Sequence, residues 1–150
     1  MVYVDGFVLA VPRKNLPAYL RMAQKAGRIW QEYGALEYRE CVGDDLNVKM
    51  GTSFPRQLEL KRGEVVLFSW IVYRSRAHRD RVNAKVMKDP RLAGMAKEMP
   101  MDPKRMVYGG FKTIVDMGPT AAARRAPRRQ PRGRKRGRKA EVAEAQLTPA

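Results

Sequence analysis

Residues 1–116 of this 150-residue chain predict an α+β domain, with two helices on one face of a four-stranded antiparallel sheet and a basic tail over 117–150. Three observations lead there. Four apolar or alternating runs read as strands and two segments with apolar residues every three or four positions read as helices, in the order β-α-β-β-α-β. A composition of 44% apolar and 31% charged residues suits a soluble chain that buries a core. The charge is uneven: residues 1–116 carry 21 basic and 13 acidic side chains, whereas residues 117–150 carry 10 basic and only 2 acidic.

Tyr3 to Val11 is rich in β-branched and aromatic residues, and Pro12 closes it because proline cannot donate to a sheet ladder. Asn15 is placed to cap a helix in which Leu16, Tyr19, Leu20, Ala23, Ala26, Trp30 and Tyr33 form an apolar stripe, with Pro17 in the tolerant first turn and Gly34 as the stop. Ala35 to Val42 alternates as a second strand, and a loop runs from Gly43 through Pro55. Val65 to Tyr73 is the strongest strand. Ser75 caps a helix from Arg76 to Lys88 that ends before Asp89-Pro90, and after an irregular stretch Met106 to Val115 forms the last strand.

This order is the split, ferredoxin-like arrangement. On the third strand Val66, Phe68, Trp70 and Val72 share one face while Val65, Leu67, Ile71 and Tyr73 share the other, so both faces are apolar. Two helices cover one face only. A second sheet from another copy is the natural cover for the other, which predicts a homodimer with sheets packed face to face.

The strings YVDGFVLAVP (3–12), MAQKAGRIWQEYGALEY (22–38), TSFP (52–55), FSWIVYRSRAHRDRVNAKVMKDPRL (68–92) and KRMVYGGFKTIV (104–115) resemble the uncharacterised YbaA-like bacterial family across nearly all of residues 1–116. The resemblance implies the dimeric α/β-barrel superfamily, whose members range over cofactor-free monooxygenases, haem-degrading enzymes, isomerases and proteins of unknown role. It therefore speaks to fold more than to chemistry. In the haem-degrading members an Asn on the first strand, a Trp on the third and a His on the second helix frame the cofactor. Here Trp70 and His78 occupy comparable elements, but the first strand carries Asp5 in place of Asn, and no cofactor is expected.

His78, the single histidine, falls in the first turn of the second helix, where the helix dipole disfavours an imidazolium and leaves a neutral ring able to act as a base. Asp5 is a carboxylate in an otherwise apolar strand, which has to be paired, hydrogen-bonded or raised in pKa, with Tyr3, Arg39, Tyr108 and Lys112 as partners on neighbouring strands. These two are the candidate catalytic residues; the competing reading makes His78 a locally bonded boundary residue and Asp5 a structural ion pair. Trp70, Tyr3, Arg39, Asn83 and Tyr108 are the candidate ligand contacts, Trp70 as core or pocket wall and Asn83 as a ligand-orienting amide or a solvated helix position. Cys41 reads as a small buried residue, and Gly109-Gly110 as a bulge or a close approach in the last strand.

One cysteine and one histidine exclude an intramolecular disulfide and a Cys/His zinc cluster, so no metal is expected. No signal-like or membrane-spanning segment stands out, which predicts a cytoplasmic protein without membrane contact. Phosphate loops, nucleophile elbows and HExxH helices are absent from the sequence. The tail, with AAARRAPRRQPRGRKRGRK at 121–139, lacks aromatic residues and predicts disorder. Its residues 124–139 would give weak, salt-sensitive, nonspecific nucleic-acid contact or stand as a solvated appendage. The leading expectation is a small, partly apolar molecule bound between sheet and helices, with monooxygenase-type chemistry around His78, Trp70 and Asp5. The alternatives are a nucleic-acid-associated protein acting through its tail and a structural dimer without ligand.

Overall fold

A computed structural model describes residues 1–95, 97 and 99–118. The strands are β1 (Tyr3–Pro12), β2 (Glu37–Val42), β3 (Glu64–Tyr73) and β4 (Val107–Lys112). The helices are α1 (Leu16–Glu32), α2 (Phe54–Gln57), α3 (Arg76–Val86) and α4 (Pro90–Met95). The sheet runs β2-β3-β1-β4, every neighbouring pair antiparallel, which is the ferredoxin-like order. The tail reading falls on residues 119–150, outside those described.

β1 and β3 pair over the whole length of both strands, from Tyr3 opposite Tyr73 to Pro12 opposite Glu64. Directly opposed residues share a face. One face therefore carries Asp5, Phe7, Leu9 and Val11 with Val65, Leu67, Ser69, Ile71 and Tyr73, and the other carries Val4, Gly6, Val8 and Ala10 with Val66, Phe68, Trp70 and Val72. α1 and α3 cover the first. Leu9, Val11, Val65 and Leu67 pack with Tyr19 and Ala23 of α1, while Ile71 and Tyr73 pack with Ile29 of α1 and Val82 and Val86 of α3. Phe7 touches both clusters and bridges them.

The second face is open over most of its extent, although Ala10 and Val66 at one end of it are buried. Phe68 is 44% exposed and Phe111 60%. Phe54, Phe68 and Trp70 form an aromatic row along it, with centroids 6.1 Å and 5.6 Å apart. Cys41 lies opposite Phe68 on this face and is exposed, which corrects its reading as a buried residue. A cysteine's burial depends on which side of the sheet its strand position faces, and β2 is an edge strand here.

Several element ends differ from the sequence reading for local reasons. Asn15 occupies the cap position of α1 but makes no cap bond; a 3-10 turn at Arg13–Asn15 precedes the helix, and the Asn15 amide donates to the Pro100 carbonyl at 2.9 Å. Gly34 does stop α1, at φ +110. The loop after β2 contains the helical turn α2, capped by Ser53, whose Oγ accepts from the Arg56 N–H at 3.4 Å. α3 ends at Val86, two residues short of the predicted Lys88, and Asp89-Pro90 starts α4, the buried Asp89 carboxylate accepting from the Arg91 N–H at 2.9 Å. β4 stops at Lys112, short of the predicted Val115. Among the described residues no helix is long and apolar enough to cross a membrane.

Val82 is 1% exposed where α3 meets the sheet. Val82→Ala should cost roughly 2 kcal/mol of stability, read as a lower urea midpoint at unchanged slope; an unchanged midpoint would contradict this packing.

Candidate functional site

Between the helices and the sheet lies a cavity of about 520 Å³. Six methionines line it, Met22, Met87, Met95, Met99, Met101 and Met106, together with the rings of Phe7, Tyr19, Trp30, Tyr38 and Tyr108. Methionine supplies a soft, adaptable apolar wall. The polar groups are few and fall into two clusters, one around Asp5 and one around Glu40.

The first cluster joins β1 to α3. Asp5, 7% exposed, has its Oδ1 3.3 Å from Arg79 Nε, and its Oδ2 accepts from Asn83 Nδ2 at 3.3 Å. Arg79 and Asn83 stand four residues apart, on one face of α3. The Arg79 contact is an ion pair without hydrogen-bond alignment, so the buried Nε–H is left without a hydrogen-bond acceptor. Arg79 Nη2 reaches the Tyr3 hydroxyl at 3.1 Å, and the guanidinium lies 5.0 Å from the Tyr3 ring centroid. Asn83 Oδ1 accepts from both Trp30 Nε1 and the Tyr73 hydroxyl, each at 3.0 Å. One amide thus ties α1, β3 and α3 to Asp5. Burial raises the Asp5 pKa, and the opposing pull of Arg79, Asn83 and Tyr73 does not cancel it.

Gly110 makes this cluster possible. It pairs with Asp5 across β1 and β4, and a Cβ there would collide with the Tyr3 hydroxyl and stand 2.7 Å from Arg79 Nη2. The register from Tyr3–Lys112 to Val8–Val107 runs without interruption, so Gly109-Gly110 is not a bulge; Gly110 alone marks a close approach of side chains.

The second cluster joins β2 to α1. Glu40 Oε2 accepts from the Tyr19 hydroxyl and Oε1 from the Tyr38 hydroxyl, both at 2.9 Å, and Ser69 adds a third bond. Burial raises the Glu40 pKa, against the lowering effect of those three donors. Both tyrosines are pushed far above the ordinary phenol range, by burial first and then by the neighbouring carboxylate. Tyr38 also lies so close beneath α1 that a Cβ on Gly27 would stand 2.8 Å from its ring.

The residues singled out from sequence are divided between these surroundings. Asp5, Asn83 and Tyr108 line the cavity, and Tyr3 reaches its polar end through Arg79. Arg39 borders it, but its guanidinium pairs with exposed Glu37 at 3.3 Å. Trp70 points to the open face, opposite Arg39 and Gly6. His78 sits outside: its Nδ1 accepts from the Arg74 N–H at 3.1 Å, its ring meets Tyr73 edge-on, and desolvation followed by Arg74 and Arg81 lowers its pKa. Trp70 and His78 are thus not brought together, and neither lines the cavity. The partners of Asp5 are Arg79 and Asn83 of α3 with Tyr73 of β3, not Tyr3, Arg39, Tyr108 or Lys112. The sequence reading passed over Arg79, Glu40, Tyr19 and Trp30; the four-residue spacing of Arg79 and Asn83, facing the same side as Val82 and Val86, was the available signal. Among the described residues no group of three His, Cys, Asp or Glu converges on one point.

A family model described as "Protein of unknown function (DUF1428)" matches residues 2–103. "Uncharacterized protein YbaA" of Escherichia coli K12 is 46% identical over 116 residues, which is 77% of this chain and 99% of that protein. The YbaA protein of Shigella flexneri matches at the same 46% identity over the same 116 residues, again 77% and 99% of the two chains. Among solved structures, Rv0793 from Mycobacterium tuberculosis superimposes with a TM-score of 0.51 at 12% identity, covering 79% of this chain and 100% of that one. At that identity the likeness concerns the fold.

Because folding raises the Glu40 pKa, its contribution to stability is full below the ordinary value of 4.5 and is lost as pH rises through the higher value in the fold. Glu40→Gln should therefore lose less stability than the parent between acid and neutral pH. Urea midpoints measured across that range check this, and parallel curves for the two proteins would contradict a desolvated Glu40.

Proposed function

The chain belongs to the DUF1428 family of proteins of unknown function, and we propose that it binds a small, partly apolar molecule in the cleft between sheet and helices. One observation carries this reading. A cavity of about 520 Å³, walled by methionines and aromatic rings, holds only a few convergent polar groups, which is the usual composition of a small-molecule site. Asp5 is the group best suited to exchange a proton with a bound molecule: it lines the cavity, its pKa is raised, and Asn83 and Arg79 fix its orientation. A monooxygenase-type reaction at this site would use Asp5 as proton acceptor, with His78 in a structural role outside it.

Ser69 is 5% exposed on the floor of the cleft. Ser69→Leu fills that floor, so p-cresol and indole, followed by ligand-observed NMR, should bind the parent and lose about tenfold or more in affinity in the variant. Equal signals in both proteins, or none in either, would remove the cleft as a binding site.

A homodimer is part of the same proposal. The open face carries Val4, Val8, Phe68, Trp70, Val107 and Phe111 in adjoining rows, and a copy related by twofold symmetry would bury it sheet against sheet. Phe68→Lys places a charge at its centre. The parent should run at twice the chain mass in light scattering and the variant at half that value; a monomeric parent would refute the proposal.

A further inference from the structure

The two carboxylates of the cleft differ in one respect. Asp5 has a counter-ion in Arg79, whereas Glu40 has no guanidinium or ammonium within ion-pair distance among the described residues. Its three partners are hydroxyls: Tyr19, Tyr38 and Ser69. A carboxylate withdrawn from water and left without a cation is costly unless it is neutralised. Hydroxyl donors relieve part of that cost but supply no charge. The carboxylate offers about four acceptor positions, of which the three hydroxyls use three, so one remains for a further donor.

The surroundings narrow the class of that donor. The Trp30 and Tyr38 rings stand 6.2 Å apart at 41° and both line the cleft. Their polar ends are already engaged, Trp30 Nε1 with Asn83 and the Tyr38 hydroxyl with Glu40, so the ring surfaces are what they offer to an occupant. Aromatic faces beside a carboxylate favour an organic cation over a neutral or anionic group. A hydrated inorganic ion would gain nothing from the methionine walls. Asp5 lies on the far side of β3 from Glu40, two strand spacings away, or roughly 10 Å. An apolar body of one ring or a short chain fills that interval.

Resting on the cleft reading above, we infer that its ligand class is an organic ammonium on an apolar body, with Glu40 as its counter-ion and the Trp30 and Tyr38 rings beside the charge. Glu40 is a binding residue in this arrangement; the proton exchange assigned to Asp5 is separate from it.

Three molecules of one shape test this on the full chain: phenethylamine (cation), phenethyl alcohol (neutral) and hydrocinnamate (anion), with dissociation constants from ligand-observed NMR at neutral pH. Phenethylamine should bind most tightly. Glu40→Gln should weaken it about tenfold or more while leaving phenethyl alcohol within about twofold, since only the charged hydrogen bond is lost. If phenethyl alcohol or hydrocinnamate binds as well as phenethylamine, or if Glu40→Gln leaves the amine unchanged, the cation assignment is wrong and the cleft reading stands. If none of the three binds, both are wrong. Should Glu40→Gln fail to fold, the rank order in the unsubstituted protein decides alone.

Discussion

The continuous pairing of β1 with β3 sets the side on which every group of interest lies. Strand side chains alternate, so the register that opposes Asp5 to Ile71 also sends Phe7, Leu9, Ser69 and Tyr73 to the helices and Trp70 with Phe68 to the other face. A slip of β1 by one residue against β3 would turn β1 over and exchange its two sets. Asp5, Phe7, Leu9 and Val11 would then face the bare side of the sheet, and Val4, Gly6, Val8 and Ala10 would lie under α1 and α3. The cleft, its polar end and the open apolar face are thus products of one pairing.

Within the cleft, the electrostatics follow from where the helices bring donors. α3 supplies a guanidinium and an amide to Asp5, while α1 and β3 supply only hydroxyls to Glu40. Both carboxylates are raised in pKa by burial, yet one is ion-paired and the other is not. The cavity therefore has two chemically different ends joined by methionine and aromatic walls. Asn83 holds the first end to the core: its amide oxygen takes donors from α1 and β3 while its nitrogen serves Asp5.

The fold was readable from the sequence because its signals are local and periodic. The apolar stripe of α1, the uninterrupted run of β3, the Ser75 cap and the Gly34 stop each specify one element, and their order leaves few topologies. The site was legible only in part. Asp5 stood out as a charge in an apolar strand, but its counter-ion Arg79 and its amide donor Asn83 lie more than seventy residues away on a helix, a separation that no local pattern encodes. Glu40 did not stand out, since β2 looks like an ordinary alternating edge strand; its withdrawal from water comes from Tyr19 on a helix that precedes it. His78 and Trp70 attracted notice by residue type alone. The alternation of β3 and the cap geometry of α3 carry them elsewhere.

The bare Cα of Gly110 has a meaning beyond this chain. With any side chain there, the Tyr3 hydroxyl and the Arg79 guanidinium lose the space they share, and Asp5 loses its counter-ion as placed here. That single position serves as a fingerprint: a related protein with alanine or larger at the equivalent site must arrange the acidic end of its cleft differently, and its chemistry should not be inferred from this one.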